Sequence, residues 1–363
     1  MIIVSTVSLL LTLLVGHENL FAALYGWRIY FFYFSFIFIM GKVLNREDIL
    51  KMGRFCMYVS IPMTILIMLQ FYSPQSAWVN RGVGGDMEGA GFFGALGYFR
   101  PSGTFSFISG FTYFQLLVSF YLLFYMFSND LLEKKERING WLLLIIGICY
   151  LVTIPFSISR THFFQTVVVV VFAIVGALFS NKAKKVLKIV VSSVIVFMCF
   201  VSYNIKSDGV DAFLHRFDSA SNSEGGLEGS LGDRYIGSIT RAFDTGDAFW
   251  GYGLGFGSNV GAKMLGLENM YTKFNSDQEW VRVFGESGLI LGFLIMLIRV
   301  CFSFSVSINS FKKLKKQEDL LPWLFSCGVL MVLMMGQLNA NSSLGFAVFI
   351  GGLCLASLKS YKV

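Results

Sequence analysis

The sequence predicts an all-α polytopic membrane protein with about ten transmembrane helices, both termini cytoplasmic and one large external loop between helices 7 and 8. Three observations predict it. The composition is too apolar for a water-soluble chain, the apolar residues fall in runs of spanning length, and the basic residues sort by loop.

Of the 363 residues, 55% are hydrophobic and 14% charged, and the mean hydropathy is +0.66. Soluble domains sit near 45–50% apolar with about 25% charge. The net charge of +7 would suit nucleic acid only if Lys and Arg gathered on one stripe, and they do not, so no nucleic-acid partner is expected. All six cysteines lie in or beside apolar runs, where a thiol is a small buried hydrophobe. His17, His162 and His215 are scattered without ligand spacing, so neither a metal nor another cofactor is expected.

The apolar runs extend from Ile2 to Val15, Trp27 to Met40, Phe55 to Tyr72, Phe107 to Phe127, Trp141 to Ser157, Phe163 to Phe179, Ile189 to Tyr203, Phe284 to Val306, Leu321 to Gln337 and Leu344 to Leu358. The first has no basic leader or small-residue cleavage site and reads as a retained span. Residues 1–204 then form an N-terminal bundle of about seven spans, 205–283 the large loop, and 284–363 about three further spans.

Orientation follows from the short loops. Lys42, Arg46, Lys51 and Arg54 share one loop; Lys134, Lys135 and Arg137 another; Lys182, Lys184, Lys185 and Lys188 a third; Lys312, Lys313, Lys315 and Lys316 a fourth; Lys359 and Lys362 close the chain. With ten spans these all fall on one side, which the positive-inside rule makes cytoplasmic. Arg299, the main charge within a run, reads as snorkelling toward that side.

The unusual residues gather on the other side. "SPQSAWVNRGVGGDMEGAGFFGALGYFRPSGTF", Ser73 to Phe105, carries Arg81 and Arg100. In the long loop, Ser219 to Gly232 is Ser/Gly/Glu-rich and reads as flexible, while Arg234 to Phe243 has helical spacing with Arg234, Ser238 and Arg241 on one side. "GYGLGFG", Gly251 to Gly257, lacks the spacing of a nucleotide loop. Its glycines suit a tight turn or a close backbone approach. "FNSDQEWVRVFGES" places Asp277, Glu279, Arg282 and Glu286 in front of or just inside an apolar run. Two readings compete: a solvated acidic helix start, or a polar site at the membrane surface. Trp78, Trp250, Tyr252, Tyr271 and Trp280 lie on the same side, where aromatic rings serve as interfacial belts or as platforms for sugars.

Four stretches in order, "FRPSGTFSFISGF", "FSISRTHFF", "DRYIGSITRAFDTGDAFWGYGLGFG" and "DQEWVRVFGESGLILG", resemble the successive motifs of the O-antigen ligase/polymerase family of bacterial membrane glycosyltransferases, over roughly Leu24 to Leu358. The resemblance implies transfer of a glycan from a polyprenyl diphosphate donor to an acceptor sugar, without metal, on the external face of the bacterial cytoplasmic membrane. It also implies membrane lipids, chain-length regulators and flippases as surroundings or partners. Asp277 stands where lipid A-core ligases carry histidine, which weighs for a polymerase making O-antigen, capsule or exopolysaccharide over a ligase.

Such chemistry needs cations for the charge growing on the leaving diphosphate, and guanidinium groups bind phosphate oxygens in a fork. Arg234 and Arg160 are the first candidates, with Arg100 and Arg241 behind them. It also needs a base for the acceptor hydroxyl. Asp277 is the first choice and Glu279 the second; Glu286 is read as orienting an arginine or capping the helix, and Trp250 as a substrate contact. A transporter or flippase for the same lipid-linked sugars is the reading from another class; it would call for broken helices or charges at mid-membrane.

Overall fold

The structure, a computed structural model, describes residues 1–81, 92–180, 207–223, 249–266 and 278–359, together with Gly237, Thr240 and Arg241. Helices dominate. Among the described residues six are long and apolar enough to cross a membrane: α2 (Leu20–Val43), α3 (Arg46–Tyr72), α4 (Ile108–Leu131), α6 (Arg160–Leu178), α9 (Glu279–Gln317) and α11 (Asn341–Leu358). Shorter apolar helices are α1 (Ile2–Leu14), α5 (Gly140–Phe156) and α10 (Leu320–Met334). All but one of the apolar runs read from the sequence therefore coincide with helices; the run Ile189 to Tyr203 lies outside the described residues. The chain is a helical membrane protein.

Local sequence sets the helix starts. Asn45 and Asp48 form a reciprocal capping box at the head of α3. Asn19, Asn139 and Ser159 accept backbone N–H bonds at the heads of α2, α5 and α6. Within the apolar helices Ser60, Thr64, Ser119 and Thr153 donate to carbonyls of their own helix, the usual way to satisfy a hydroxyl where no water reaches.

The chain divides by packing into two compact units, Met1–Val43 with Glu224–Asn309 and Gly328–Ala356, and Leu44–Ser223 with Ser310–Cys327 and Ser357–Val363. In the second unit α3 packs on α4 and α5, and α4 on α6. Tyr121 and Tyr125 donate to the carbonyls of Ile49 and Leu50 on α3. A short hairpin, β1 (Phe92–Ala95) and β2 (Tyr98–Arg100), turns through Leu96 and Gly97, both with positive φ (52° and 82°), as a type I′ turn requires. The predicted external loop opens with a helix, α7 (Asp208–Ser223), packed on β1, α5 and α6.

In the first unit α9 is broken. Gly288, at φ 73° and ψ 177°, divides it into a short front half that begins at Glu279 and a long back half. Two π-helical turns, Ile29–Tyr33 in α2 and Val329–Met334 at the end of α10, belong to the same unit. A short helix α8 (Asn259–Met264) packs on α2.

The sidedness of the membrane read from the basic loops can be checked chemically. Single cysteines at Ser223 and Asn341 should react with an impermeant maleimide in intact spheroplasts, and one at Asn181 should not; labelling at Asn181 would invert the orientation.

Candidate functional site

A broken helix leaves orphan carbonyls on one half and orphan N–H groups on the other. Residues 249–253 satisfy both. Tyr252 N–H donates to Gly285 O at 2.7 Å and Gly253 N–H to Glu286 O at 3.0 Å, while Leu289 N–H donates to Phe249 O at 3.3 Å. This is the task of the glycine run. A Cβ on Gly251 would strike the backbone of Glu286 and Gly288, and one on Gly255 the carbonyl of Ala22. Both glycines also have positive φ, 79° and 88°. The close backbone approach expected from the sequence is what the run provides.

The front half of α9 carries a closed set of charges. Arg282 makes a fork onto Glu279, Nε to Oε2 at 3.0 Å and Nη2 to Oε1 at 2.8 Å. Its Nη1 donates to Glu286 Oε2 at 2.5 Å and its Nη2 to the Tyr30 hydroxyl at 3.1 Å. Arg299 Nη1 reaches Glu279 Oε1 at 2.6 Å and the Met296 sulfur at 3.6 Å, and its Nε and Nη2 donate to the carbonyls of Leu333 and Gly336. Glu279 Oε2 also accepts from Leu338 N–H, and Glu286 Oε1 from Gly257 N–H. All four charged residues are buried, Arg299 completely.

Two sequence expectations change here. Arg299 does not snorkel: its guanidinium turns to Glu279, because the break at Gly288 folds the front half of α9 back within its reach. Glu279 and Glu286 are not a solvated helix start either. Glu279 is saturated by four donors, which takes up the lone-pair sites a carboxylate offers and leaves none for a substrate. Glu286 holds Arg282 and the backbone of the glycine run as well.

The other unit holds a half-buried arginine outside the helices. Arg100, at the end of β2, is half-buried, and its Nε makes no hydrogen bond. Among the described residues no carboxylate pairs with it. Burial, and then the like charges of Arg216 on α7 and Arg160 at the head of α6, lower its pKa from the usual guanidinium value. Arg160 follows a turn in which Ile158 has φ 47°, a left-handed conformation rarely taken by a β-branched residue. Backbone strain of this kind clusters at functional sites. Arg100 also lines a cavity of about 230 Å³ walled by segment 99–106 and by Gln70, Gln75, Val79, Asn80 and Arg81.

Of the candidates chosen from sequence, then, the structure brings Arg100 and Arg160 together in one unit and Glu279 and Glu286 together in the other. Arg241 and Trp250 are exposed; the Trp250 ring meets Phe249 edge-on, 4.8 Å between centroids. Arg234 and Asp277 lie outside the described residues. Arg216 was missed. Its helix was legible, since Val210, Phe213, Leu214 and Phe217 recur at helical spacing in "GVDAFLHRFDS". No family model matches the chain, and neither a curated protein nor a solved structure is significantly similar to it.

Proposed function

We propose that the protein is a membrane glycan polymerase, joining repeats carried on a polyprenyl diphosphate at the external face of the bacterial cytoplasmic membrane into O-antigen, capsule or exopolysaccharide. The observation that carries the reading is Arg100 itself, half-buried at the wall of a polar cavity, with an unbonded Nε and no paired carboxylate among the described residues. A guanidinium drawn out of water is costly unless an anion joins it. A diphosphate supplies that anion, and the ordered motifs around Arg100, Arg160 and Asp277 point to a lipid-linked one. Arg100, with Arg160 and Arg216 of the same unit, then takes up charge as the glycosidic bond to the diphosphate breaks; the base for the acceptor hydroxyl is assigned to Asp277 from the sequence motif alone.

A second reading, transport of the same lipid-linked glycan, is favoured by the helix broken at Gly288 beside buried charges, since discontinuous helices line substrate paths in transporters. Against it, the two carboxylates and two guanidinium groups of that cluster neutralise one another and leave no charge for a passing ion.

One experiment separates the readings. In cells lacking the gene, a polymerase predicts single repeats on the surface and no polymer, a transporter no repeats at all, and a ligase polymer that is made but not attached. Reintroduced Asp277→Asn should reach the membrane in normal amount and restore no polymer. Wild-type polymer from that variant would remove Asp277 from the mechanism.

A further inference from the structure

The cavity beside Arg100 is built rather than incidental. Gln70, buried on α3, donates from Nε2 to the carbonyls of Val79 and Gly103 and accepts Gly103 N–H on Oε1 at 2.8 Å. Asn80, also buried, donates to the carbonyls of Gln70, Ser73 and Pro74. Two amide side chains thus tie the loop before the hairpin and the segment after it to the end of α3. The framework spends its amide groups on backbone, and Ser102, Thr104, Phe105 and Arg100 are among the residues that line the cavity.

Those walls have the chemistry of a sugar subsite: hydroxyls and a guanidinium for sugar hydroxyls, and an aromatic ring for the apolar C–H face. The volume of about 230 Å³ corresponds to roughly seven or eight waters at ~30 Å³ each, enough for one pyranose ring with its substituents. Arg100 belongs to both the cavity wall and the arginine group. A diphosphate held by Arg100 brings the sugar directly bonded to it to the cavity mouth.

We propose that this cavity seats the first sugar of the lipid-linked donor, the residue bonded to the diphosphate. The proposal rests on the donor reading above and adds to it a place where donors are told apart. Thr104 sits at the exposed edge of the cavity, so a large side chain there fills the space without entering the packed core.

The test uses the full chain in lipid nanodiscs with two probes: polyprenyl diphosphate carrying no sugar, and the lipid-linked glycan extracted from cells lacking this gene. Wild type should bind the glycan-bearing lipid at least about tenfold more tightly. Thr104→Trp should abolish that preference and leave affinity for the bare lipid unchanged, which also shows that the variant is folded. Arg160→Ala should weaken both. Equal wild-type affinity for the two lipids, an unchanged preference in Thr104→Trp, or equal weakening of both by it would overturn the sugar seat while leaving the donor reading in place. Failure of wild type to bind either lipid would overturn the donor reading and the seat together.

Discussion

Arg100→Ala is expected to leave the folded protein as stable as wild type, or slightly more so, while binding of a polyprenyl diphosphate falls about ten- to a hundredfold and polymer disappears from the surface. The two effects have opposite signs for one reason. Arg100 is half-buried, its Nε is unbonded, and Arg160 and Arg216 repel it. Removing it relieves repulsion in the empty protein, as happens at sites arranged for function at a cost in stability. With donor present it removes a charged hydrogen bond worth about 1.5–3 kcal/mol, hence the fold-change. Arg100→Lys keeps the charge but not the planar fork and should fall between the two. Exposed Arg241→Lys should change little. An arginine that merely anchored at lipid headgroups would move neither stability nor donor affinity, so a neutral Arg100→Ala in both measurements would dismiss the anion site.

The helices were legible because a span announces itself by composition: Trp141 to Ser157 became Gly140–Phe156 and Leu344 to Leu358 became Asn341–Leu358. The pairing of Arg282 with Glu286 was also within reach, since four residues on a helix bring side chains to one face. The break at Gly288 was not. A lone glycine between apolar neighbours is common in membrane helices; what makes this one a break is the set of caps supplied by Phe249, Tyr252 and Gly253, far away in sequence. Missing the break, a reader places Glu279 and Arg299 some 30 Å apart on one straight helix, where the structure has them 2.6 Å apart. Arg216 was lost for a related reason. A long polar stretch between spans reads as one loop, and the apolar face of α7 becomes visible only when the loop is searched for helical spacing.

Arg282→Met should be the most destabilising single change in the charge cluster. It takes from Glu279 both bonds of a fork and from Glu286 its only ion pair among the described residues, in a place with almost no solvent access. Breaking a buried pair by deleting one partner costs about 3–5 kcal/mol, because the other charge stays buried and uncompensated. In detergent this should appear as a fall in Tm on the order of 10 °C, with less protein recovered from the membrane. Glu286→Gln should be milder, since the amide oxygen can still accept Gly257 N–H. Combining it with Arg282→Met should destabilise less than the sum of the two, because the second change removes one of the charges that the first leaves stranded. The glycine run depends on the same residue: Glu286 accepts Gly257 N–H through its side chain and Gly253 N–H through its backbone. Exchange of the amide hydrogens of 251–257 should therefore accelerate in Arg282→Met before the long helices open. An unchanged Tm in Arg282→Met would mean that Glu279 and Glu286 find other partners, and the closed cluster would no longer account for the fold of the front half of α9.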